Sequence, residues 1–171
     1  KDINYYRKIG TTQFEAWFTS PITGAVSTNG ALTANRLYAI PFIVTKDITI
    51  DRIGFRCSNA TGGGDVRLGI YSNNDTLGTY PDSLILDAGE VSTTTTGVKS
   101  ITISQALTAG LKWLVLVCSS ASNISCGAAA GMIPVLGNNN TLGTTPNFGL
   151  YVAFTYAALP STFPSTPTMI T

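Results

Sequence analysis

Ile48-Thr49-Ile50-Asp51-Arg52-Ile53-Gly54-Phe55 carries the pattern that decides the fold. Apolar and polar residues alternate, as in a strand with one buried face. Ile48 and Ile50 share one parity, whereas Ile53 and Phe55 share the other. A single extra residue restores the common face, so a β-bulge is expected near Asp51-Arg52. Val98, Ile101 and Ile103 make a similar half-buried pattern. The segment Leu111-Lys112-Trp113-Leu114-Val115-Leu116-Val117 is apolar on both faces after Lys112. Such a strand is central to its sheet or is covered on its outer face by another subunit. Pro41 sits inside an otherwise good strand and belongs at an edge or a bulge, because it has no N–H to donate.

From these segments the same signal extends over the chain. Strands are expected near 13–18, 36–44, 48–57, 65–72, 83–88, 98–104, 111–119, 124–130 and 149–157. Turn-forming residues separate them: Thr61-Gly62-Gly63-Gly64, Ser72-Asn73-Asn74-Asp75, Tyr80-Pro81-Asp82 and the stretch from Thr93 to Gly97. No segment holds an apolar stripe of helical period over three turns. The expected class is all-β: a jelly-roll-like antiparallel β-sandwich of about eight or nine strands. Residues 1–35 read as an N-terminal arm or connector, 36–159 as the sandwich, and 160–171 as an extended tail. Pro160, Pro164 and Pro167 keep that tail from being a helix.

Composition limits the chemistry. Among 171 residues there is no histidine, and 11 % are charged, against about 25 % in an average protein. From Trp113 to Thr171 there is no charged side chain at all. Acid–base and nucleophilic catalysis draw on His, Asp, Glu, Lys and thiolate Cys, so no enzyme activity is expected. Charge depletion of this kind resembles the core of a protein–protein interface. Trp17, Phe18, Trp113, Phe148, Tyr151 and Phe163 are therefore candidate assembly contacts. The net charge of +1 gives no footprint for nucleic acid or for an anionic membrane. No apolar run is long enough to span a bilayer. The chain opens at Lys1, which reads as a processed protein or a piece of a longer one.

Individual motifs are weak. Asp47, Asp51, Asp65, Asp82, Asp87 and Glu90 lie at strand ends and turns, where a carboxylate serves its own backbone. A glycosidase would need two of them across a cleft. Asn73, Asn74 and Asp75 offer oxygens but only one carboxylate, so no metal and no cofactor is expected. Gly62-Gly63-Gly64 lacks the Lys-Ser/Thr partner of a phosphate loop. Cys57, Cys118 and Cys126 read as buried thiols, with a Cys118–Cys126 disulfide as the alternative. The four Asn-x-Ser/Thr triplets, at Asn59, Asn74, Asn123 and Asn139, are expected by accident in so Ser/Thr-rich a chain. Tyr71, Asn73, Asn74, Asp75 and Tyr80 place aromatic rings and amides in one loop region, the mixture that a sugar site uses.

Several segments in order carry a resemblance. They are 32–42 (LTANRLYAIPF), 48–54 (ITIDRIG), 67–71 (RLGIY), Tyr80-Pro81 leading to 84–89 (LILDAG), 108–114 (TAGLKWL) and 151–154 (YVAF). Together, over about 32–159, they resemble β-sandwich domains of tailed-bacteriophage virion surface proteins, of the tail-fibre or appendage type. No catalytic residue comes with the resemblance. It implies a non-enzymatic virion surface protein, structural and host-attaching, that contacts other virion proteins and a host surface glycan. A homo-oligomer is expected, with a trimer favoured. A capsid decoration or head-fibre protein is the alternative in the same class. A secreted carbohydrate-binding module is the alternative from another.

Overall fold

A computed structural model describes residues 26–60, 64–76, 78, 80–121, 123–127 and 149–170. Ten strands lie among them: β1 (Val26–Ala31), β2 (Arg36–Val44), β3 (Ile48–Asn59), β4 (Asp65–Asn73), β5 (Pro81–Ser92), β6 (Gly97–Leu107), β7 (Gly110–Cys118), β8 (Asn123–Gly127), β9 (Gly149–Ala153) and β10 (Thr168–Ile170). The expected strand at 13–18 lies outside the described residues. The protein is all-β, with two antiparallel sheets arranged as a sandwich. One sheet runs β1-β8-β3-β6, the other β10-β9-β2-β7-β4-β5. β1 pairs with β8, β2 with β7, β3 with β6 and β4 with β5, each antiparallel. The first four strands therefore lie against the next four as one long ribbon, wound back and forth between the two sheets.

Local pattern explains the strand details. Register shifts between Ile50 and Arg52, where Asp51 and Arg52 are both exposed, so the parity change read from the sequence is a real irregularity. Pro41 pairs with Trp113 of β7. On its other side the described β2–β9 pairing runs only from Arg36 to Ala39. The missing N–H thus falls past the end of that ladder, an edge position as expected. On β5 the register shifts where Leu68 pairs with Gly89 and Gly69 with Asp87, leaving Ala88 over. Gly89 takes φ 90° there, a conformation that suits glycine.

Strand β7 shows why 111–117 is apolar on both faces. Leu114, Leu116 and Cys118 face the four-stranded sheet, in a core with Val44, Ile53, Val66, Leu68, Ile70 and Leu107. Trp113, Val115 and Val117 point the other way, into a second core with Leu37, Ala39 and Tyr71. That outer core is closed by Leu159 and Phe163 of the chain's own C-terminal segment. β7 is central, and its outer face is covered without a second subunit. The protein is three layers deep at this place: sheet, sheet, and a C-terminal strap.

Two boundaries differ from the expected ones. The region expected to be an arm contributes β1, which pairs with β8. Val26-Ser27-Thr28-Asn29-Gly30-Ala31 has no apolar alternation to announce a strand. The segment expected to be an extended tail, 160–171, packs on the sheet through Phe163, 4 % exposed, and ends in β10 beside β9. Ten described strands replace eight or nine for the same reason. Cys57 and Cys118 are buried thiols, and Cys118 donates to the Thr33 carbonyl (3.4 Å).

Candidate functional site

Polar chemistry concentrates where the strap crosses the outer face of the six-stranded sheet. The strap is first held by Asn35, in the β1–β2 turn. This residue adopts φ 58°, which asparagine tolerates better than most residues. Its carbonyl accepts from Phe154 N–H and its side-chain oxygen from Tyr156 N–H, both at 2.9 Å. Leu159 N–H then donates to the Asp87 carboxylate (3.0 Å). Ser161 and Thr162 run beside β5: Leu84 N–H donates to Ser161 C=O (2.9 Å), Phe163 N–H donates to Asp82 C=O (2.8 Å), and Ser83 bridges to Thr162. Gly69 permits the close approach, because a Cβ there would lie 2.2 Å from Leu159 Cδ1 and 2.6 Å from the Leu86 carbonyl oxygen.

Asp87 is the anchor. It accepts from Arg67 Nε, from Leu159 N–H and from Gly89 N–H, each at 3.0 Å. Burial alone would raise its pKa. The hydrogen bonds from Leu159, Arg67 and Gly89 outweigh that and hold the carboxyl below its ordinary value. Arg67 also reaches Glu90 (3.3 Å), which accepts from the Tyr156 hydroxyl (2.7 Å). Burial, then this bond and the Glu90 charge, push the Tyr156 phenol well above its ordinary value. The cluster sets one guanidinium between two carboxylates, each engaged within the chain. Its chemistry is to fasten the strap.

The five residues expected to bind sugar do come together, at the end of β4 and in the β4–β5 loop. Each is engaged within the chain. Tyr71 is fully buried, meets Phe163 edge-on (ring centroids 5.7 Å apart) and donates its hydroxyl to Pro160 C=O (2.5 Å). Its ring has no open face for a sugar, which corrects the stacking role. Asn73 Oδ1 accepts from Trp113 Nε1 and from Tyr80 N–H, both at 3.1 Å. Its Nδ2 donates to Asp75 (3.0 Å) and to Gly78 C=O (2.7 Å), so the amide is fully used. Asn74 accepts from Thr76 N–H (3.1 Å) and donates to Asp82 (3.4 Å). Tyr80 is half-buried and donates to Pro164 C=O (2.9 Å). Asp75 itself is exposed.

The candidate assembly residues divide in three. Trp17, Phe18 and Phe148 lie outside the described residues. Trp113 and Phe163 are buried in the chain's own outer core, which corrects their reading as subunit contacts. Tyr151 is half-buried, tilted against Tyr38 and under the Arg36 guanidinium, 4.6 Å from its centroid. Among the other acids, Asp47 accepts from Ala109 N–H (2.9 Å) and Asp51 pairs with its neighbour Arg52 (3.2 Å). Among the described residues no group of three His, Cys, Asp or Glu side chains could hold a metal ion, and no helix is long and apolar enough to cross a membrane.

Sequence reasoning missed Asn35, Arg67 and Tyr156 as fasteners and took Asp87 for a turn acid. The one local signal was Asp87-Ala88-Gly89, a turn-like run inside a strand. Comparison with protein-family models, curated proteins and solved structures found no match.

Proposed function

We propose that this chain is a non-enzymatic structural domain on the surface of a bacteriophage virion, assembling as a homo-oligomer. The observation that carries the reading is the nested pairing β1·β8, β2·β7, β3·β6 and β4·β5 across two sheets. It supports the jelly-roll-like sandwich expected from the spacing of the strands, which agrees with the resemblance to β-sandwich domains of virion surface proteins. The engagement of Asp87, Glu90, Arg67 and Asn73 in strap and loop bonds also supports a structural role. Host attachment stands on the resemblance alone, since Tyr71 is closed to a ligand. The same burial weighs against the secreted carbohydrate-binding module.

Immunogold labelling tests this reading. Antibodies against the chain are applied to particles recovered from the source that encodes it. Gold at the particle surface is expected. Label confined to unassembled soluble protein contradicts the proposal.

A further inference from the structure

Among the described residues the sheets have four outer strands, and they differ in length and cover. β5 has the strap beside it at Ser83, and β10 is only three residues long. β1 is six residues long with a register shift between Val26 and Thr28. β6 has eleven residues and, among the described residues, β3 as its one neighbouring strand. Its outward side chains are Val98 (65 % exposed), Ser100, Thr102, Ser104 and Ala106, all exposed and uncharged. Natural proteins guard such an edge with charge, proline or a cover, because its free N–H and C=O groups invite another strand. Among the described residues the outward side of β6 carries no charge, no proline and no cover; its guards are a register shift against β3 between Gln105 and Thr102 and the single inner-side charge of Lys99.

We propose that β6 is the contact strand through which two copies of this chain join, antiparallel, about a two-fold axis at Thr102. Thr102 is the midpoint of Gly97–Leu107. With the axis normal to the sheet, Thr102 faces Thr102, Ser100 faces Ser104 and Val98 faces Ala106 on the outer side. On the inner side Ile101 faces Ile103, and Lys99 faces Gln105. Every pair is like with like in polarity, and Lys99, the one charge of the strand, meets an amide that can accept from it. The register is specific. Moving the axis to Ile101 sets Lys99 against Ile103, and moving it to Ile103 sets Lys99 against Leu107; both place the ammonium on an apolar partner. The result is one continuous eight-stranded sheet through an isologous contact. It pairs copies two at a time, in place of the trimer expected from the sequence. This contact goes beyond the virion reading and holds or fails for the isolated chain, whatever immunogold shows.

Sedimentation equilibrium of the full chain and two variants tests it. The wild type sediments as a dimer. Thr102→Lys sets two ammonium groups face to face and shifts it to monomer, with the far-ultraviolet circular dichroism of a folded β protein retained. Thr102→Cys gives a disulfide-linked dimer on mild oxidation, which the wild type does not. Opposed Cα atoms in an antiparallel pair lie about 4.5–5.5 Å apart, within the span of a disulfide. A wild-type monomer or trimer overturns the proposal, as does a dimer that Thr102→Lys leaves intact. If Thr102→Lys fails to fold, the cross-link decides, and its absence in Thr102→Cys overturns the proposal.

Discussion

Asn73 shows how one side chain can organise the end of a sheet. Its amide ties the β4 end to Trp113 on β7, to Tyr80 across the loop, and to Asp75 and Gly78 within it. Asn73→Ala leaves the Trp113 N–H and the Tyr80 N–H without partners. Each such loss costs about 1–3 kcal/mol when the donor is buried. We expect Asn73→Ala to lower unfolding stability by roughly 2–4 kcal/mol in a urea titration, from these two losses together. A loss under about half a kilocalorie, the scale of a neutral surface change, would mean that the loop does not depend on this amide. The residue types in this loop were legible, but not their use. Aromatic rings and amides suit a sugar site and an internal knot equally well. What separates the two is the return of Pro160, Phe163 and Pro164, more than eighty residues later, onto Tyr71 and Tyr80. No local pattern announces that return.

Strands were legible where alternation or a long apolar run marked them, as in β3, β6 and β7. β1 and β10 were not, because pairing with β8 and β9 makes them strands, not side-chain pattern. The strap was misread for a related reason: its prolines exclude helix, but its cover of the outer core is a tertiary fact. Asp87 fastens the strap, and a depressed carboxyl pKa makes that fastening acid-sensitive. A group with a lowered folded pKa contributes stability above its unfolded value, about 3.9 for Asp, and loses it as pH falls through the folded value. Asp87→Asn is expected to cost about 1–3 kcal/mol at pH 7, the range for a charge-assisted hydrogen bond lost in a partly buried place. The gap between wild type and variant should narrow below about pH 4. Thermal melts at neutral and acid pH measure it. A gap of equal size at both would place the effect elsewhere than in the carboxylate.

At the scale of the whole molecule, the uncharged run from Trp113 onward has a new meaning. In its described part, Trp113, Val115, Val117, Leu150, Leu159 and Phe163 share one core within the chain. These six side chains are spent on internal layering. The proposed assembly surface is instead β6, whose Ser, Thr and Val side chains lie within the better-charged half of the sequence.

The proposed role is that of a structural surface domain of a virion, built of wound sheets and assembled in copies. Cryo-electron microscopy of particles from the source tests it most directly, because it gives location and copy number together. Density for both sheets is expected on the outer surface, in symmetry-related copies with β6 edges adjoining. Particles that lack the chain altogether would contradict it.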